Sequence, residues 1–148
     1  VTDVVLEAHE IRHAALIGVG RNLVAKRQRR RPLIPGSNTF LADIAGAVAE
    51  LVVAKALGVY WAPNVGGNDH VRGDVGMFQV RSSAQPFLVI RDRDLDEQPY
   101  VLVTGQPPDM SIRGWLYARE AKTSEYRDPG GGWAVPAQYL RSWEDRPA

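Results

Sequence analysis

Gly73-Asp74-Val75-Gly76-Met77-Phe78-Gln79-Val80-Arg81-Ser82-Ser83 is the stretch on which the fold turns. Ahead of it apolar residues recur every three or four positions, the spacing of helices. From Gly76 onward they alternate with a period of two, the spacing of strands. Asp74 opens the segment. Gln79 and Arg81 stand two apart, so a strand sends both side chains off one face.

Downstream, strands are expected over residues 76–82, 87–91, 100–104, 112–117 and 133–135. Clusters of Pro, Gly and Asp separate them at 91–99, 105–109 and 128–132. Phe87-Leu88-Val89-Ile90 and Val101-Leu102-Val103 are unbroken apolar runs, suited to strands covered on both faces. Residues 136–140 can begin a short closing helix, and 118–127 reads as a charged turn or short helix.

Upstream, Ser37 or Asn38 caps a helix over residues 39–57, which Gly58 closes. From Ile44 to Ala54 this helix is apolar all round except at Glu50. A bare buried carboxylate costs several kcal/mol, so Glu50 needs a partner. Asp43, Gly46, Ala47, Glu50, Val53 and Ala54 share one face, and the small residues among them predict close packing on a sheet. Glu50 then either points into a site shared with Asp74, Gln79 and Arg81, or forms a buried salt bridge with Arg81.

A first helix is expected over residues 3–31, with Val5, Ala8, Ile11, Ala15, Val19 and Leu23 as its buried stripe. Thr2 or Asp3 would cap it, and Gly18 and Gly20 would weaken or kink its middle. His13 reads as a surface group rather than a ligand, since no second ligand stands at suitable spacing. Pro32 and Pro35 end the helix. Residues 59–72 form a loop with a turn at 66–69, where Asp69 and His70 are second-rank candidates for ligand contact.

The chain has 148 residues, 45% hydrophobic and 24% charged, which matches one globular α+β domain: two N-terminal helices on a mixed or antiparallel sheet. Cysteine is absent, which removes disulfides, thiol catalysis and zinc–cysteine sites. No apolar run is long enough to span a bilayer and no signal peptide opens the chain, so the expected location is cytoplasmic, with no membrane partner. The formal net charge is only +1, yet Arg21, Lys26, Arg27, Arg29, Arg30 and Arg31 crowd into eleven residues. Such a segment suits a phosphate backbone; it also suits a helix C-terminus, whose dipole attracts cations. Trp115, Trp133 and Trp143 can stack on bases, but their places in or beside strands favour core packing.

Phosphodiester hydrolysis needs an activated water and relief of charge on the phosphate, and bound Mg²⁺ can serve both. That ion takes oxygen ligands. Glu50 and Asp74 offer carboxylates, Gln79 an amide oxygen and Val80 its backbone carbonyl. Arg81 offers a fixed positive charge toward phosphate.

The helical Glu50 followed by "GDVGMFQVRSS" resembles the PD-(D/E)XK, or restriction-endonuclease-like, nuclease superfamily in a compact form. The wider run of "DIAGAVAELVVAKALG", "DVGMFQVRSS", "PYVLVTG", "IRGWLYAREAK" and "WAVPAQYL" is similar to small phage-encoded proteins of that superfamily, over roughly residues 40–140. The resemblance implies one or two Mg²⁺ or Mn²⁺ ions and DNA or RNA as substrate, DNA first. It makes Glu50 the helical acid and Asp74 the principal metal ligand. Gln79 takes the place of the second acid and Arg81 that of the lysine. Gly73 stands where the family has proline. Residues 91–100 are too short for the long helix the family carries there. Arg81 can hold phosphate but, unlike lysine, stays protonated. A metal-dependent nuclease is the first expectation, and a catalytically silent nucleic-acid-binding or phage structural protein the alternative. A homodimer that completes the site stays open.

Overall fold

The computed structural model describes residues 1–28, 38–65 and 73–148. The order of elements is β1 (Thr2–Val5), α1 (Ala8–Arg27), α2 (Thr39–Leu57), β2 (Gln79–Ser82), β3 (Phe87–Ile90), β4 (Pro99–Gln106), β5 (Asp109–Tyr117), α3 (Ala118–Ala121) and β6 (Trp133–Pro136). Short 3-10 turns occupy Ser124–Tyr126, Ala137–Tyr139 and Trp143–Asp145. The fold is α+β. A mixed four-stranded sheet runs β1-β5-β4-β2, with β2 parallel to β4 and the other pairings antiparallel; β3 and β6 form a separate antiparallel pair.

Strands form at all five expected places, but β2 starts at Gln79, three residues later than expected, and β5 starts three residues earlier than its apolar run. β3 is covered on one face only, since Phe87 and Val89 are exposed while Leu88 and Ile90 are buried. The start of the chain departs from expectation. Residues 2–5 pair with β5 as an edge strand instead of opening a helix. Thr2, Val4 and Val5 are β-branched and favour that conformation. The helix begins at Ala8, where the Glu10 carboxylate accepts from the Glu7 N–H at 2.7 Å. Lys55, at the end of α2, bonds both Glu10 and the Val5 carbonyl, which ties the strand, the turn and the second helix together.

The buried stripe of α1 also differs. Ala14, Gly18 and Asn22 are the residues that α2 covers, while Val5 and Leu23 are exposed. Small residues four apart let the helices close up. A Cβ on Gly18 would lie 2.5 Å from the Ile44 Cα, so Gly18 is a contact point and not a kink, and α1 runs unbroken through it. The small face of α2 thus meets α1 as well as the sheet.

α2 matches its reading over residues 39–57. Asn38 accepts from the Leu41 N–H, and Gly58 takes the left-handed conformation at φ 68°. Replacing Asn38 by Ala should cost about 1 kcal/mol, measurable by chemical denaturation.

Two apolar clusters lie on opposite faces of the sheet. Val80, Val101, Val103 and Ile112 pack with β1 and the two long helices. Tyr100, Leu102 and Leu116 pack with β3, β6 and α3. The acidic loop after β3 is pinned residue by residue: Asp92 to Arg127, Asp94 to Arg81, Asp96 to Lys122 and Glu97 to Arg119. Asp94 also accepts from the Arg91 N–H. Ion pairs hold this short connection where the resemblance would place a long helix.

Candidate functional site

Glu50 is 7% exposed, on the part of α2 that faces α1. Its partner is Arg21 rather than Arg81. Arg21 Nη1 donates to Oε1 at 2.7 Å and Nη2 to Oε2 at 2.9 Å, a two-pronged contact. Arg21 Nε donates to the Asn64 carbonyl at 2.7 Å, and Trp61 Nε1 donates to Glu50 Oε2 at 3.3 Å. The planar guanidinium fork matches a carboxylate, which makes such contacts the strong ones of their kind. Close approach of α1 and α2 at Gly18, one turn before Arg21, brings the pair within reach.

Asp74 precedes β2 and accepts from the Val80 N–H at 2.8 Å, which anchors it at the strand's start. It stands near enough for its charge to act on both Glu50 and Arg21. Burial raises the Glu50 carboxyl above the usual carboxylate range. The Arg21 bonds and charge oppose the rise, Asp74 adds to it and the Trp61 bond also opposes it. For Arg21, burial works against the charge, but the Glu50 bonds together with Glu50, Asp74 and Asp43 hold the guanidinium above its ordinary value.

Gln79 and Arg81 share a face as expected. In register they lie beside Tyr100 and Leu102, on the side of the second cluster, whereas Val80 lies on the α2 side. Arg81 therefore binds Asp94 at 2.9 Å and lies 5.0 Å from the centre of the Tyr100 ring. Burial, then the Asp94 charge, pushes the Tyr100 hydroxyl up to about 12, so it remains protonated at neutral pH. Asp74 acts on Glu50 through its charge, while Arg81 is drawn away to Asp94.

The chain matches no protein-family model, no curated protein and no solved structure.

Hard oxygen donors are the right chemistry for Mg²⁺ or Mn²⁺. The arrangement of the described residues does not suit the ion. Both Glu50 oxygens are taken by Arg21, one of them also by Trp61, and a guanidinium already stands at the carboxylate. Among the described residues no group of three His, Asp or Glu side chains could hold a metal. Asp69 and His70 lie outside the described residues, as do Arg29, Arg30 and Arg31.

Lys26 and Arg27 are exposed at the end of α1. Arg21, the first of the basic cluster, is turned inward instead. Trp115 and Trp143 are buried, and Trp115 Nε1 donates to the Ser142 carbonyl at 3.0 Å. Trp133 is half-buried beneath Arg127 and Lys122. All three tryptophans have structural surroundings. His13 is exposed and meets the Trp61 ring edge-on.

Three participants escaped the sequence reading. Arg21 sat in a run that looked wholly like a surface patch; its one signal was a place beside Gly18 and Asn22 on a face of small residues. Trp61 lies in a loop with no periodicity to aim it. Asp94 was one acid among four.

Proposed function

We propose that this chain binds the phosphate backbone of nucleic acid, DNA first, on a nuclease-like scaffold whose Glu50 is engaged by Arg21. The observation that carries the reading is a surplus of cations beside the former acidic loop. Once the four acids of residues 92–97 have taken Arg127, Arg81, Lys122 and Arg119, Arg91 and Arg93 are left without an ion-pair partner among the described residues. Burial, then the neighbouring charges of Arg81 and Arg93, lowers Arg91 from its ordinary value. Cations that repel one another in this way gain from an anion placed between them. Lys26 and Arg27 supply a second exposed basic point.

Phosphate contacts release counterions, so binding should weaken steeply with salt. Fluorescence anisotropy with labelled duplex and single-stranded DNA, in EDTA, tests this. Replacing Arg91 and Arg93 together by Gln should lower the log–log salt slope by about 2 on duplex DNA, from roughly 0.9 per phosphate contact. An unchanged slope and affinity would remove these residues from the interface. Absence of any salt-sensitive binding would remove the proposal.

Metal-dependent hydrolysis of DNA, with Mg²⁺ or Mn²⁺ as cofactor, is the second reading. The charge of Asp74 acting on Glu50 favours it, together with the resemblance around residues 73–83. Gln79 and Arg81 would then replace the second acid and the lysine. Cleavage of single-stranded, duplex or branched DNA with either ion, lost in Asp74→Ala, would establish this reading over the first.

A further inference from the structure

We propose that Arg21 is the resident cation of the buried Glu50 carboxylate and keeps divalent metal ions off it. The guanidinium donates three bonds: two to the Glu50 oxygens at 2.7 and 2.9 Å, one to the Asn64 carbonyl at 2.7 Å. Trp61 adds a donor to Glu50 Oε2. An incoming ion would have to break both prongs of the fork. It would also leave Arg21 without its carboxylate while half-buried, and removing one member of such a pair is strongly unfavourable. The ion and the guanidinium cannot share Glu50 at close range, because their like charges repel most where water is scarce. Arg21 already balances the charge and engages both oxygens that an ion would need.

The consequence is specific. Removing Arg21 should open the oxygen donors of Glu50 to a hard divalent cation, donors that are closed to it in the natural chain. The inference goes beyond the nucleic-acid reading and fails separately from it, since DNA binding in EDTA involves no metal ion.

The test is Mn²⁺ uptake followed by electron paramagnetic resonance of the free ion. It uses the wild type, Glu50→Gln, Arg21→Met, Arg21→Gln and the double variant Arg21→Met/Glu50→Gln. Circular dichroism checks that each is folded. Wild type should show no Mn²⁺ uptake that depends on Glu50. The folded Arg21 variants should gain a Glu50-dependent Mn²⁺ uptake that wild type lacks, and the double variant should lose that gain. Wild-type uptake abolished by Glu50→Gln would overturn the proposal, as would folded Arg21 variants binding no better than wild type. If neither Arg21 variant folds, the wild-type titration decides alone: no uptake supports a closed site, and Glu50-dependent uptake refutes it.

Discussion

Arg21→Met should destabilise the fold by about 3 kcal/mol at neutral pH, because it strands Glu50 as a buried carboxylate without its cation. The figure sits at the low end of the range for broken buried pairs, since the Arg21 side chain keeps a 20% exposure. For a chain of this size that is a fall in Tm of roughly 10 °C. Replacing both partners, as in Arg21→Met/Glu50→Leu, should recover most of the loss, since paired apolar groups replace a buried ion pair at little cost. A double variant no more stable than Arg21→Met would mean that the pair does not account for the effect.

The pH dependence of the same variant has a definite sign. Burial and Asp74 already raise the Glu50 carboxyl, while the Arg21 fork opposes the rise; without Arg21 it climbs further. Between the ordinary value of 4.5 and the raised value, the folded variant keeps a proton that the unfolded chain has lost. Stability is therefore fullest below that window and falls as pH rises through it. The penalty of Arg21→Met should shrink at acid pH, and Glu50→Gln in the same background should remove the dependence. Urea denaturation at several pH values checks both.

The second large effect separates two glycines of the paired helices. A Cβ on Gly18 would lie 2.5 Å from Ile44 Cα, 2.7 Å from its nitrogen and 2.8 Å from the Asp43 carbonyl oxygen, all backbone atoms. Gly18→Ala must push α1 away from α2 and should cost about 2 kcal/mol, even after the gain in helix propensity. Gly46, on the facing helix, has nothing within 4 Å of its would-be Cβ. Gly46→Ala should therefore stabilise by up to about 1 kcal/mol. Chemical denaturation reads both, and equal effects at the two positions would remove the close contact at Gly18 from the account.

These features differ in how far the sequence exposed them. α2 was legible from end to end because its cap, its apolar body and the glycine that closes it all agree. The strand region was legible for the same reason, through alternation bounded by turn residues. The first five residues were not. Val5 continues a helical spacing by chance, and only pairing with β5 shows Thr2, Val4 and Val5 to be a strand. The spacing of Val5, Ala8, Ile11, Ala15, Val19 and Leu23 points to the wrong face of α1, because apolar periodicity does not register a close contact made by small residues. Ala14, Gly18 and Asn22 are buried instead, where two helices approach too closely for bulk.

The site was half legible. Glu50 stands out as the lone acid of an apolar helix, and Asp74 as the opening of the strand motif; in the fold the charge of Asp74 acts on Glu50. Their partners depended on tertiary geometry. Arg81 was the nearer choice for Glu50 by motif, but β2 turns it toward Tyr100 and Asp94. Arg21 was the choice that helix packing makes, and no spacing rule links residues 29 apart on two different helices.

The most direct test of the central claim is an anomalous difference map from wild-type crystals soaked in Mn²⁺. The expected map has no peak at Glu50, with Arg21 still bonded to both carboxylate oxygens. A manganese peak between Glu50 and Asp74, with Arg21 swung away, would contradict it.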